Sequence, residues 1–319
     1  MTADKPTLVV AVVSYQRPSE LAALLPELIR QVDACKYPTS VLVVDNDPAG
    51  SAATVVREVS ENRVRYAVEP TPGIAAARNR VLAEVENEDL LVFIDDDEWP
   101  VRDWLEALLD TYSKTRPAGV VGAVVSEFAA PLSAWVEAGR FFDRRRLPTG
   151  TQTEVGATNN LLLDLHQIRA LRLTFDEEFG LSGGSDTMFT RQLTARGGRL
   201  VWCDEALVVD RVPTSRTSAR WVLLRALRSG NSWSRTAMSL PMSRGRRLRT
   251  RASLTGDAFA RIIVGLVKWC GGLAAWSPRL QAGGLRSLAR GTGMLLGAYG
   301  LVYREYLRKE SPVRKTGSA

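Results

Sequence analysis

Apolar runs recur in the first hundred residues and alternate with amphipathic stretches. Residues 8–13, 41–44 and 90–94 are continuous runs rich in Val, Ile and Leu, whereas residues 20–32 and 52–59 repeat apolar positions at a helical period. Strands apolar on both faces, separated by helices, predict a mostly parallel, doubly wound α/β sheet of Rossmann-like type. Such sheets hold ligands beyond the carboxyl ends of their strands. Here those ends read Ser14-Tyr15-Gln16-Arg17-Pro18, Asp45-Asn46-Asp47 and Asp95-Asp96-Asp97. Three polar clusters are therefore expected to converge on one pocket.

Beyond residue 100 the pattern is mixed. Residues 120–126, 156–163 and 199–203 read as strands, and the loop Ser182-Gly183-Gly184-Ser185-Asp186 opens a helix over 187–195. From residue 216 onward the pattern is helical and basic. Residues 1–210 hold 21 Lys/Arg against 32 Asp/Glu, while residues 211–319 hold 21 against 3, a net of +18. The two parts are expected to meet different partners. The 319 residues divide into a catalytic domain over 1–240 and a basic, apolar helical extension over 241–319.

Cys35, Cys203 and Cys270 are odd in number and far apart, without CxxC or nearby His, which supports neither a disulfide framework nor zinc and points to a cytoplasmic protein. The first residues lack a basic n-region and a cleavage site before the apolar run, so they read as the approach to a first strand. His166, the single histidine, reads as structural.

The chemistry is densest at Asp95-Asp96-Asp97-Glu98, straight after a buried strand. Adjacent carboxylates repel one another, and such a cluster suits a hard cation with oxygen ligands. A solvated acidic turn is the plainer alternative.

Together these segments resemble the family 2 glycosyltransferases, inverting enzymes of GT-A fold that use nucleotide-diphosphate sugars; the likeness spans roughly residues 7–240. The resemblance implies that Ser14, Tyr15 and Arg17 lie beside the nucleotide and that Asp45 reads the edge of its base. It implies that Arg78 and Asn79, in Gly73-Ile74-Ala75-Ala76-Ala77-Arg78-Asn79, face the nucleotide and its phosphates. The DxD signature falls on Asp95-Asp96-Asp97, with Asp95 near the ribose and Asp97, joined by Asp95, on a Mn2+ or Mg2+ ion that bridges the diphosphate. Asp186 takes the place of the family's general base, with Ser185 where a Glu is usual; a helix cap is the other reading of Asp186. Asn159 and Asn160 fall where the family lines its sugar pocket, and both can equally be turn residues. The Gln-x-x-Arg-Trp motif of processive synthases is incomplete, since Arg220-Trp221 is preceded by Thr217.

In the basic third, residues 257–276 place Asp257, Arg261, Lys268, Gly265 and Gly272 on one helical stripe, and a second stripe runs Arg286, Arg290, Gly293, Gly297, Gly300, Arg304, Arg308. Charges inside these stretches argue against a spanning helix and for one lying in the membrane interface, on the inner face of the cell membrane. Packing on the catalytic domain or a second subunit competes with that reading. The arginines at 244–251 lack an aromatic platform or groove-reading motif, so nucleic acid is not expected as a partner. The function expected is transfer of a sugar from a nucleotide-diphosphate donor to a hydroxyl acceptor, such as a lipid-linked or envelope glycan precursor. A sugar-nucleotide nucleotidyltransferase would need a Gly-rich phosphate loop after strand one, which Ser14–Pro18 lacks. A non-catalytic sugar-nucleotide-binding module would not need both Asp97 and Asp186.

Overall fold

The computed structural model describes residues 5–302; Arg304, Arg308 and residues 1–4 lie outside the described part. The chain runs β1 (Leu8–Ser14), α1 (Pro18–Asp33), β2 (Thr39–Asp45), α2 (Ala53–Ser60), β3 (Val64–Val68), α3 (Ile74–Glu84), β4 (Leu90–Asp95), β5 (Glu98–Pro100) and α4 (Trp104–Thr115). It continues through β6 (Gly119–Phe128), α5 (Ala134–Ala138), β7 (Gln152–Thr153), β8 (Asn160–Asp164), α6 (Leu165–Ala170), α7 (Ser185–Ala195) and β9 (Leu200–Val212). Three long helices close it: α8 (Ala219–Ser239), α9 (Arg244–Ala274) and α10 (Pro278–Ala298).

The strands form one sheet in the order β3-β2-β1-β4-β8-β6-β9-β5, with β7 also on β9. β1 to β4 pair in parallel, as the apolar runs predict. β8 then inserts antiparallel between β4 and β6. Both faces are covered. Leu8, Val10 and Val12 of β1 pack with α1 and α4, while Val9, Ala11 and Val13 pack with α3 and α7. Leu21, Leu24, Leu25 and Leu28 give α1 one fully buried stripe, each side chain contributing about 1.5–3 kcal/mol by burial.

The second half departs from its sequence pattern in three places. The strand expected at 156–163 begins only at Asn160, because Gly156 donates its N–H to Thr190 Oγ1 (3.3 Å) instead of joining the sheet. The strand expected at 199–203 runs on to Val212; it slips register where Gly122 pairs with Cys203 and Ala123 with Leu207, so the bulged strand re-aims its second half toward β5 and sets Asp210 opposite Glu98. The helix expected at 187 starts at Ser185.

Within α9 and α10 the glycines of the stripes serve as packing seams, while Asp257, Arg261 and Lys268 stay exposed. Gly265 and Gly272 are buried against α10, and a Cβ on Gly230 would meet Arg290 O at 2.1 Å, one on Gly293 Leu227 O at 1.9 Å. Small residues thus let α10 lie tightly on α8 and α9. α8, on the catalytic side of the expected boundary at 240, shares in this helical layer. The apolar flank of α9 faces outward instead, with Phe259, Ile263, Val267 and Leu273 about half exposed or more and Trp276 at 88%. Among the described residues no helix is long and apolar enough to cross a membrane.

Candidate active site

The carboxyl ends of β1 and β4 open on a cavity of about 890 Å³ whose far side is built from the β8 approach, the start of α7 and the face of α8. Its floor is the acidic turn after β4. Ser14 Oγ donates to Asp96 Oδ2 (2.8 Å), and Arg17 Nη1 donates to Asp96 Oδ1 (2.7 Å) and Asp97 Oδ2 (2.9 Å). Burial opposes the Arg17 charge, but Asp96 and Asp97 outweigh it and hold the guanidinium above its ordinary pKa. Burial raises Asp96, against the pull of Arg17 and Ser14. Asp97 also accepts from Arg216 Nη1 (3.2 Å).

Asp95 keeps 40% of its side-chain surface open to the cavity. Its surroundings still favour the neutral form: burial, then Asp97, Asp96 and Asp186, push the carboxyl up to about 7, while Arg78, 4.0 Å away, acts the other way. Arg78 is itself buried and donates to Ser185 Oγ (2.9 Å). The Ser that replaces the family's Glu therefore anchors the arginine of α3 to the first turn of α7.

Asp186 lines the same cavity, in the first turn of α7. The cap position belongs to Gly184, whose φ of +97° a side chain would strain. Asp186 Oδ1 accepts the Thr187 N–H (2.7 Å) at the head of α7. Tyr15 lies at the rim, 38% exposed.

Three of the residues named by the resemblance do not line the cavity. The Asp45 carboxylate has no exposed surface; it accepts from the N–H groups of Asp47 (3.0 Å) and Ala52 (2.8 Å) and from Tyr66 Oη (2.9 Å), bracing the turn, and Asn46 lines the cavity in its place. Asn79 points away: it accepts from Phe175 N–H (2.8 Å) and donates to Phe175 O (2.9 Å), tying α3 to the segment before α7. Asn160 is buried and fully used, donating to Ala123 O and Ala206 O and accepting from Trp104 Nε1. Its neighbour Asn159 reaches the cavity and donates to Glu98.

The structure brings further residues to the cavity, to which sequence alone assigned no site role of their own. Glu98 is 3% exposed, and burial, then Asp95, lift it well above the usual carboxylate range; among the described residues its Oε2 has no hydrogen-bond partner. Asp210, its cross-strand partner, pairs with Arg144. Trp221, Arg225 and Arg228 line the α8 side. Their 4- and 3-residue spacing puts them on one helix face, a signal that the sequence carried.

Asp95 and Asp97 offer two cavity-facing carboxylates, the number with which Mg2+-like ions are held when substrate phosphates complete the shell. Among the described residues no group of three or more His, Cys, Asp or Glu side chains forms a metal cage by itself. The site fits a cation held jointly with a phosphorylated ligand.

Comparison with known proteins accords with this geometry. The glycosyl transferase family 2 model matches residues 9–172. Over 235 residues, 71% of this chain and 74% of the relative, the sequence is 33% identical to succinoglycan biosynthesis protein ExoM of Rhizobium meliloti (strain 1021). In fold it is similar to the mannosyltransferase PcManGT from Pyrobaculum calidifontis, solved with GDP-Man and Mn2+, at a TM-score of 0.60 and 17% identity over 90% of this chain and 86% of that one. It is also similar to S. aureus TarS solved with UDP-GlcNAc, at a TM-score of 0.52 and 14% identity over 89% and 90%. The chain belongs to glycosyl transferase family 2 and is a glycosyltransferase of GT-A fold.

Proposed function

We propose that this enzyme transfers a sugar, with inversion, from a nucleoside-diphosphate donor to a hydroxyl of a lipid-linked or envelope glycan precursor. The observation that carries the reading is the union in one cavity of the Asp95-Asp97 carboxylates with Asp186, near enough to act on the charge of Asp95. Inversion requires the acceptor oxygen to attack the anomeric carbon from the face opposite the leaving diphosphate, with a base to take its proton. Asp186 is that base: its carboxylate accepts the hydroxyl proton as the new C–O bond forms and the sugar–phosphate bond breaks. A divalent cation held by Asp97 and Asp95 would neutralise charge on the departing diphosphate. Ser14 and Arg17 fix the two carboxylates next to Asp95, and Arg78 sets Asp95 against the start of α7.

The likeness to a succinoglycan biosynthesis protein supports a polysaccharide precursor as acceptor. Residues 241–319 act in this reading as an extension that lies on the membrane through the outward apolar face of α9 and nearby basic residues, bringing the cavity to a lipid-anchored acceptor.

The test is incubation of the full-length protein with a panel of labelled nucleotide sugars and Mn2+. Donor hydrolysis identifies the sugar, and the anomeric configuration of the transferred sugar, read by NMR against the donor, reports the stereochemistry. Retention would refute the single-displacement scheme; no turnover of any donor would refute the transferase reading of this cavity.

A further inference from the structure

A second cavity, of about 240 Å³, adjoins the first. The chain joins the sheet only at Asn160, and the gap between Val121 and Val124 of β6 and the segment before that point, Val155 to Ala157, is this cavity. One side of it is apolar, formed by the two β6 valines and the Trp202 ring. The other is polar. Arg145 is fixed there by donating to Thr153 Oγ1 (2.7 Å) and Val155 O (3.4 Å), with its guanidinium carbon 5.5 Å from the Trp202 ring centroid. Asn159 gives an amide N–H to Glu98, and among the described residues its Oδ1 accepts no hydrogen bond. A pyranose is divided in the same way, with C–H groups on its faces and hydroxyls around its edge that both donate and accept. Drug-sized ligands fill pockets of about 300–1,000 Å³, so the volume here suits a single sugar ring and falls short of a nucleotide.

The two cavities share Arg144, Ala157 and Asn159, but Asp95 and Asp97 line only the first. The donor diphosphate and its cation therefore have no part in the second. The base does stand at its edge: Asp186 lines the first cavity and Thr187, the next residue of α7, lines the second. Their link is short, with the Thr187 N–H on Asp186 Oδ1 and the Thr187 hydroxyl 3.5 Å from the same oxygen. We infer that the second cavity binds a glycosyl residue of the acceptor, its apolar face on Trp202 and its hydroxyls on Arg145 and Asn159, and so brings the acceptor to Asp186 by a route that the donor does not occupy. The word acceptor rests on the glycosyl-transfer reading above; the binding of a sugar ring in this cavity does not.

The experiment is a saturation-transfer NMR titration of the full-length protein with the methyl α- and β-glycosides of glucose, galactose, mannose and N-acetylglucosamine. Each is titrated with and without Mn2+ and a saturating nucleoside diphosphate, taken from UDP, GDP, TDP and ADP. At least one glycoside should bind with the nucleotide in place. Val155→Trp, whose indole fills the second cavity, should weaken that glycoside at least tenfold and leave nucleoside diphosphate affinity within twofold, which also shows that the variant is folded. Arg145→Met keeps an apolar stem on Trp202 and removes the donors, so a loss of at least threefold is expected; if Val155→Trp binds no nucleotide, this variant decides. Failure of every glycoside to bind, displacement of each by the nucleotide, or indifference to both variants overturns the inference. A Val155→Trp protein that binds nucleoside diphosphate normally but nucleotide sugars at least tenfold more weakly gives the cavity to the donor sugar and overturns the acceptor assignment. If no nucleoside diphosphate binds while a glycoside does, and both variants weaken it, the donor reading fails and the sugar site stands.

Discussion

Arg78 on α3 donates to Ser185 Oγ at the start of α7, 107 residues further along the chain and at 2.9 Å. This one bond joins the arginine beside Asp95 to the helix turn that carries Asp186. Ser185→Ala leaves a buried guanidinium N–H without its acceptor, and a loss of about 1–2 kcal/mol in urea unfolding is expected. Because the same bond fixes the start of α7, kcat should fall more than donor affinity. A variant as stable and as active as the wild type would show that the two walls are held by other contacts.

The positions of Asp95, Asp97 and Asp186 were legible because a buried strand, a Gly-Gly loop and a helix start are local patterns, and each delivers its acid to a strand or helix end. Asp45, Asn79 and Asn160 were not. Each stands in a matching motif, but Asn79 and Asn160 are oriented by Phe175, Ala123, Ala206 and Trp104, 37 to 96 residues away, and Asp45 by Tyr66 together with the nearby N–H groups of Asp47 and Ala52. The long β9 was missed because its bulge breaks the apolar pattern at residues 204–206. The helical stripes were visible, yet small residues suit a packing seam and a membrane face alike, and only α10 decides between them.

Asp97 accepts from Arg17 and Arg216, so its removal strips both arginines of a carboxylate as well as the cation of a ligand. Asp97→Ala should abolish Mn2+-dependent nucleotide binding while the protein stays folded. Full activity of this variant, or of the wild type in excess chelator, would exclude the cation from the mechanism.

Asp95 supplies a pH signature. Its carboxyl is raised from 3.8 to about 7, chiefly by burial. In the cation-free protein the folded state therefore keeps a proton that the unfolded chain has lost between about pH 4 and 7, and the stability contributed by Asp95 declines as pH rises through that window. Asp95→Asn removes the titration, so in chelator its melting temperature should gain on the wild type from pH 5 to pH 8. Saturating Mn2+ with nucleoside diphosphate at pH 8 should raise the wild type more than the variant, which keeps only the Asp97 carboxylate. An equal offset at both pH values would show that Asp95 does not titrate there.

The glycine seam separates two kinds of helix glycine. Gly293→Ala would drive a Cβ to 1.9 Å from Leu227 O, costing about 1–3 kcal/mol or more. Gly256→Ala on the open face of α9 meets nothing within 4 Å and should stabilise by about 0.5–1 kcal/mol. Denaturant melts of the two variants check the pair. Equal effects would mean that α10 is not packed through this seam.

Phe259, Ile263 and Val267 share the outward face of α9. The intact protein should sediment with vesicles containing anionic lipid, more weakly in high salt but not to zero, since screening acts on charges and leaves apolar contact in place. Replacing these three residues by Ser should remove the salt-resistant part. Unchanged sedimentation would assign the face to another role.

The most direct measurement of the account is the steady-state comparison of Asp186→Asn with the wild type on the donor and acceptor pair found by the panel. Asparagine keeps the size and hydrogen bonding of the side chain but cannot take a proton. The account predicts kcat lower by about 10²-fold or more with donor affinity unchanged. A variant that turns over at the wild-type rate would contradict it, leaving Asp186 as no more than a charge at the head of α7.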